Sequence, residues 1–170
     1  MAIVTKIGFF QPDGFFSAVE SIDPDELIAK GYRSVLLDID NTLVPRDTKQ
    51  IPKTVEQWIA KAKDSGLSIC LLSNNWHKTV FSYADQLQLP CIYKAMKPLP
   101  FAFFAAIRRL GANKEQTVVI GDQLLTDVTG AHLTGMPAIM VKPRASKDLW
   151  HTLLLRRLER VLMGDRQPDR

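Results

Sequence analysis

VLLDIDNTL, Val35 to Leu43, is the segment from which the class of fold can be inferred. Its first three residues are an apolar run typical of a buried strand. The run leads directly into two aspartates, Asp38 and Asp40, which stand two residues apart. A carboxylate at the end of a buried strand is costly unless it has a partner or a function. The motif therefore predicts a metal and phosphate site where this strand ends.

Short apolar runs alternate with amphipathic segments along the rest of the 170-residue chain. This alternation predicts one doubly wound α/β domain, residues 1–170, with three Rossmann-like layers and a central parallel sheet. The predicted strands are residues 35–40, 67–73, 91–93, 117–121 and 137–141. The predicted helices are residues 53–63, 77–87, 99–110 and 125–133.

Two further segments flank this pattern. Residues 8–33 are predicted to be an N-terminal extension with a short helix that begins near Pro24 and is capped by Asp23. Residues 146–163 are predicted to form a C-terminal amphipathic helix. Its apolar stripe could dock on the sheet, or its basic face could rest on an anionic membrane, and both alternatives stay open.

Polar side chains fall at or near the carboxyl ends of successive predicted strands. They are Ser73, Lys97, Asp122 and Asp127, in addition to the first two aspartates. Each has a structural reading when taken alone, as a turn residue, a solvated cation or a helix cap. Because open α/β sheets bind ligands at this edge, the whole set in this order indicates one catalytic crevice.

Four sequence segments carry a family resemblance: DIDNTL, LLSNN with Ser73, KAMKP with Lys97, and GDQLLTD at 121–127. In order and spacing they resemble the motifs of the haloacid dehalogenase-like (HAD) phosphohydrolases. From about residue 8 to 160 the chain resembles the capless YqeG-type branch, in subfamily IIIA, which is similar to the phosphatidylglycerophosphate phosphatases of mitochondria and plastids. The resemblance implies a Mg²⁺-dependent phosphate monoester hydrolase that works through an aspartyl phosphate.

The resemblance also implies a role for each acid. Asp38 would be the nucleophile that attacks phosphorus, and Asp40 would protonate the leaving oxygen and then activate water. The cation would be held by Asp38, by the backbone carbonyl of Asp40 and by Asp122. Asp127 would be a further ligand or would orient a bound water or a neighbouring lysine.

Other positions are expected to handle the phosphoryl group. Lys97 would neutralise its charge and that of the nucleophile, and Ser73 would clamp it. Further substrate-binding or loop-fixing residues are predicted to be Asn41, Thr42, Arg46 and Asn74. The chain departs from the branch at Met96, where most members carry a basic residue.

The spacing leaves little room for a cap domain over the site. An open site implies either a large substrate, such as an anionic phospholipid at a membrane, or a homo-oligomer whose neighbouring subunit supplies the lid. A soluble sugar or nucleotide phosphate would suit the second alternative. A regulatory protein that binds metal and phosphate without turnover is a third hypothesis, which the intact acids argue against.

Bulk properties limit the setting of the protein. The chain has no apolar run long enough to span a membrane, and Cys70 and Cys91 lie in apolar stretches typical of reduced thiols. We therefore expect a cytoplasmic protein, with peripheral contact at the inner face of the membrane as the alternative. The formal net charge is only +4. We expect a phosphate-ester substrate and no nucleic acid partner.

Overall fold

The computed structural model describes residues 8–145 and 167–169. Its strands form a six-stranded parallel sheet in the order β1-β6-β5-β2-β3-β4. The strands are β1 (Gly14–Phe16), β2 (Ser34–Leu37), β3 (Ser68–Leu72), β4 (Cys91–Ile92), β5 (Thr117–Gly121) and β6 (Ala138–Val141). The predicted α/β class with a central parallel sheet is confirmed.

Helices cover both faces of this sheet. They are α1 (Pro24–Ala29), α2 (Lys53–Asp64), α3 (Thr79–Leu87), α4 (Pro100–Leu110) and α5 (Thr129–Leu133). Short 3₁₀ turns lie at Val19–Ser21 and Lys114–Gln116, and a π-helix at Leu124–Val128 precedes α5. Among the described residues, no helix combines the length and apolar character needed to cross a bilayer.

The central strand β2 shows why the layers form. Successive side chains of a strand point to opposite faces, so Val35 and Leu37 join one hydrophobic core and Leu36 joins the other. Helices α2 and α3 supply the first core, and α4 and α5 supply the second. Burial on both faces explains the continuous apolar run that the sequence shows.

The strand predicted for residues 35–40 extends further than the observed one. Strand β2 ends at Leu37, and the predicted extension through Asp40 is wrong. Asp38 still donates its backbone N–H to Ile120 O at 2.9 Å, but Asn41 then adopts a left-handed φ of 64°. The backbone N–H of Asn41 donates to Val44 O at 2.9 Å. This turn lifts the second aspartate out of the sheet.

Three other predictions need correction. The helix predicted for residues 125–133 is a π-helix followed by α5, where the Thr129 hydroxyl donates to Leu124 O at 3.0 Å. The helix predicted for residues 77–87 begins at Thr79, and ahead of it the His77 N–H donates to Asn75 Oδ1. The N-terminal extension contains edge strand β1, which was not predicted.

The short helix near Pro24 is confirmed. Asp23 caps it by accepting a hydrogen bond from the backbone N–H of Asp25 at 3.2 Å. The predicted C-terminal helix, residues 146–163, lies outside the described residues.

Candidate active site

The site lies at the carboxyl edge of the sheet, where β2, β3 and β5 end side by side. Asp38 follows β2, Ser73 follows β3 and Asp122 follows β5. Leu37 of β2 pairs with Leu71 of β3 and with Ile120 of β5, so the three residues leave the sheet within one residue of the same level. The topology therefore brings together side chains that are far apart along the chain.

Asp38 is the centre of this group and is buried. Thr42 donates its hydroxyl to Asp38 Oδ2 at 2.9 Å, and Lys97 donates from Nζ to Asp38 Oδ1 at 2.6 Å. Both carboxylate oxygens are thus held in place from different sides. The arrangement fixes the direction of a potential nucleophile before any substrate arrives.

Lys97 has an acceptor for each of its three N–H bonds. Besides Asp38, it donates to Asp127 Oδ1 at 2.7 Å and to Leu72 O at 2.9 Å. Its backbone is held as well, because Asn74 accepts from Lys97 N at 2.7 Å and donates to Lys97 O at 3.1 Å. Asn74 was predicted to bind substrate, whereas these two side-chain contacts of Asn74 are to the Lys97 backbone.

Asp127 reaches the site from the π-helix. Its Oδ2 accepts from Gln123 N at 3.1 Å, which leaves Oδ1 directed at the lysine. The space it occupies exists because residue 121 is glycine: a Cβ built there would lie 2.3 Å from Asp127 Cγ. Gly121 is therefore required by the close approach of the carboxylate, although its backbone conformation is ordinary.

Asp38, Asp122 and Asp127 form an acidic cluster. One carboxylate oxygen of each lies within 4.8 Å of the other two, and the residues are only 7%, 0% and 2% exposed. The cluster carries three potential negative charges against the single ammonium of Lys97. Oxygen-only donors with excess negative charge suit a hard divalent cation such as Mg²⁺.

Burial and neighbouring charges shift the ionisation of this cluster. Burial raises the pKa of the Asp38 carboxyl from 3.8 to about 7, with Lys97 acting in the opposite direction and Asp127 and Asp40 adding repulsion. For Lys97, burial acts to lower the pKa, but the carboxylates of Asp127 and Asp38 outweigh it and the pKa is raised. Lys97 therefore stays positively charged, and the carboxylates of Asp38 and Asp127 both accept hydrogen bonds from it.

Asp40 lies apart from the acidic cluster, half-buried at the mouth of the site. It accepts from the Ser73 hydroxyl at 3.2 Å and from Asn75 Nδ2 at 3.3 Å. Asn75 also donates its backbone N–H to Ser73 Oγ at 3.0 Å. The two aspartates of the first motif thus occupy different surroundings, which is the usual basis for giving two carboxyl groups different roles.

Arg144 and Glu20 support the turn after Asp38, and the sequence motifs did not identify either residue. Arg144, just after β6, donates from Nε to Thr42 O at 2.7 Å and from its backbone N–H to Asn41 O at 3.0 Å. Its Nη2 pairs with Glu20. No motif marked this arginine, because it meets the turn only through the fold.

Arg46 lies on the far side of the same turn, with its backbone N–H donating to Asn41 Oδ1 at 3.2 Å. The side chain is half-buried. Among residues 8–145 and 167–169, its Nη1 atom is buried without a hydrogen-bond acceptor. A buried guanidinium N–H with no acceptor favours an anionic ligand at this position.

Comparison with known proteins identifies the family. A haloacid dehalogenase-like hydrolase model matches residues 35–96, and a HAD-hydrolase-like model matches residues 95–152. The probable phosphatase YqeG of Bacillus subtilis (strain 168) is 38% identical over 156 residues, which are 92% of this chain and 91% of that protein.

Solved structures agree on the fold. An uncharacterized protein from Corynebacterium glutamicum superposes with a TM-score of 0.56 and 19% identity, over 81% of this chain and 98% of that one. The cobalt-bound deoxy-D-mannose-octulosonate 8-phosphate phosphatase from Haemophilus influenzae gives a TM-score of 0.51 and 13% identity, over 78% and 88%.

The chain therefore belongs to the haloacid dehalogenase-like hydrolases and is a phosphatase of the YqeG type. The predictions of family and of enzyme class from the sequence motifs are confirmed.

Proposed function

We propose that this phosphatase hydrolyses phosphate monoesters with the help of Mg²⁺ and through an aspartyl phosphate formed on Asp38. One observation carries the proposal: Asp38 is buried, held on both oxygens by Thr42 and Lys97, and clustered with two further carboxylates. Burying several carboxylates beside one ammonium group costs free energy in a protein that binds neither metal nor phosphate. The same arrangement is favourable where a cation and a phosphoryl group complete the charge balance.

Mg²⁺ fits the donor set of this site. Asp38 and Asp122 would hold the ion, together with the backbone carbonyl of Asp40. Because both oxygens of Asp127 already accept hydrogen bonds, we assign it first to orienting Lys97, with contact to the ion or its water as its second task. When bound, the cation would neutralise the phosphoryl oxygens and keep Asp38 ionised.

The residues then divide the reaction between them. A carboxylate oxygen of Asp38 attacks phosphorus and the bond from phosphorus to the ester oxygen breaks, while Asp40 gives that oxygen its proton. Asp40 next takes a proton from water, whose oxygen attacks phosphorus. The Asp38 carboxylate and inorganic phosphate are released.

Three side chains would bind the phosphoryl group and align it for attack. Ser73 contacts Asp40, Lys97 contacts Asp38, and Arg46 offers the buried N–H without an acceptor. Thr42 and Asn41 keep the turn rigid instead of contacting the substrate directly. Their loss would misplace the nucleophile.

The open architecture bears on the substrate. In the described part of the chain, only α2 lies between β2 and β3, and only α3 lies between β3 and β4, so neither connection holds a cap domain. We propose an anionic phospholipid monoester of the phosphatidylglycerophosphate class, met at the inner face of the membrane by a peripheral cytoplasmic protein. Sugar and nucleotide phosphates are the substrates expected if a second subunit closes the site instead.

Phosphate release from a panel of esters tests these assignments. The panel contains phosphatidylglycerophosphate in mixed micelles, sugar and nucleotide phosphates and p-nitrophenyl phosphate, each with Mg²⁺ or with EDTA. We expect activity that EDTA removes and that Asp38→Asn lowers by at least about a thousand-fold. Asp64→Asn, an exposed acid at the end of α2, is the matched control and should keep full activity. Turnover that survives Asp38→Asn would refute the nucleophile assignment.

A further inference from the structure

An exposed aromatic surface borders the site. We define the aromatic rim as Trp76, Phe81, Tyr93, Lys94 and Met96. Its four apolar members are 65%, 42%, 41% and 49% exposed in the order given. Large apolar side chains are normally scattered singly on a soluble protein, so a cluster of them needs an explanation.

Four members of the rim form a contiguous group. The rings of Phe81 and Tyr93 meet edge to face with centroids 4.7 Å apart. Lys94 Nζ lies 4.6 Å from the ring centroid of Trp76 and 5.5 Å from that of Tyr93. A cation between two exposed aromatic rings gives one surface that is both apolar and positive.

The rim is also joined to the mouth of the active site. Lys94 donates its backbone N–H to Asn75 O at 3.4 Å, and Asn75 contacts Asp40 through its side chain. Met96 directly precedes Lys97. A molecule resting on the rim would therefore present its polar groups next to the proposed acid and base.

Helix α4 continues the apolar surface. Leu99 donates its backbone N–H to Met96 O at 3.0 Å and leads into the helix. Phe101 and Phe104 follow, three residues apart on one helical face, and like Leu99 they are exposed. The start of α4 thus adds three exposed apolar side chains shortly after Met96 in the chain.

The charges of the segment that carries this surface favour an anionic occupant. Residues 74–104 contain two exposed lysines, Lys78 and Lys94, and a single acid, Asp85. A symmetric dimer through this surface would bring two lysines of each chain into one interface, with one acid of this segment per chain to compensate. An anionic bilayer matches both properties, because Trp and Tyr rings favour the lipid–water interface and lysines favour acidic head groups.

We propose that the aromatic rim is a docking surface for an anionic lipid bilayer. The inference deepens the proposed function and rests on it for the placement of a lipid phosphate in front of Asp38. Docking presents the site face to the membrane, which replaces the lid that a cap domain would supply. Bilayer binding itself needs no turnover and can be measured separately.

Co-sedimentation with vesicles tests the proposal. Wild-type protein should bind vesicles of phosphatidylcholine mixed with phosphatidylglycerol, which has no monoester phosphate, and should bind pure phosphatidylcholine weakly. Lys94→Glu and Trp76→Ser should each lower the partition coefficient roughly ten-fold or more. Added salt should weaken binding of the wild type.

Matched controls separate the rim from general surface effects. The first control, Lys114→Glu, changes an exposed cation just before β5. The second, Leu133→Ser, changes an exposed apolar residue at the end of α5, before β6. Both variants should bind vesicles like the wild type. All four variants should hydrolyse p-nitrophenyl phosphate at the wild-type rate. This second measurement shows that the site is intact in the rim variants.

Three results would overturn the docking proposal. The first is equal vesicle binding by the wild type and both rim variants, and the second is no binding by any of them. The third is a wild-type dimer in sedimentation velocity that Trp76→Ser converts to a monomer, which would assign the rim to a second copy of the chain. If the wild type shows no phosphatase activity but binds vesicles through the rim, the proposed function is refuted and the docking surface is still supported.

Discussion

Replacing Asp38 by asparagine should separate activity from stability. The variant should lose turnover, yet in metal-free protein at alkaline pH it should resist unfolding better than the wild type. The reason is that Asp38 is buried beside other acids, so its charge opposes folding until a cation is present. Asparagine has nearly the same shape and no charge to bury.

The magnitude follows from the ionisation of Asp38. The pKa of Asp38 in the folded protein is about 7, which exceeds the ordinary value of 3.8. The contribution of the protonated carboxyl to stability is therefore fully present below pH 3.8 and is lost as pH rises through about 7. At about pH 8 the wild type therefore carries a cost of roughly 4 kcal/mol by the linkage relation, and at about pH 5 roughly 2 kcal/mol. At each pH, the Asp38→Asn variant should be more stable than the wild type by most of this cost.

Urea unfolding in EDTA at the two pH values measures the effect. The free energy of unfolding of Asp38→Asn should exceed that of the wild type at both values, with the larger gain at the higher pH. Adding Mg²⁺ should stabilise the wild type and narrow the gap, because only the wild type keeps the full ligand set. A variant less stable than the wild type near pH 8, or a gain independent of pH, would refute the reasoning.

Three further substitutions follow from the same geometry. Lys97→Met leaves Asp38 and Asp127 buried without their cation, so urea unfolding in EDTA should show a loss of about 3–5 kcal/mol, and kcat should fall at least about a hundred-fold. Gly121→Ala places a Cβ in the space of the Asp127 carboxylate, so calorimetric titration should show weaker Mg²⁺ binding, roughly ten-fold or more; unchanged affinity would contradict this. Arg144→Gln removes the bond to Thr42 O, so kcat for p-nitrophenyl phosphate should fall roughly ten-fold with KM little changed, and a change in KM alone would argue against a positioning role.

Sequence reasoning predicted that the acids after β2 and β5 lie close together, because the rule that places them is general. Buried strands of a parallel sheet end at a common edge, so the acids after β2 and β5 could be brought together without knowing any side-chain contact. Lys97 followed from the same order of motifs. The structure places it 2.6 Å from Asp38 and 2.7 Å from Asp127, which no pattern of letters specifies.

What the sequence missed depends on contacts between distant segments. Strand β1 has only three residues and is a strand because it pairs with β6, so its local pattern is too short to read. Arg144 acts on the turn after Asp38 from over 100 positions away along the chain. The π-helix that carries Asp127 is also invisible to a 3.6-residue period.

Detection of a phosphoryl group on the protein would test the first chemical step of the proposed reaction. In Asp40→Asn, p-nitrophenyl phosphate needs no proton for its leaving group, but water lacks its base, so the intermediate should accumulate. Rapid acid quenching and mass spectrometry of the peptide around residues 38–40 should then show one added phosphoryl group on Asp38. Continued turnover with no phosphorylated protein, or a phosphoryl group on another residue, would rule out Asp38 as the nucleophile.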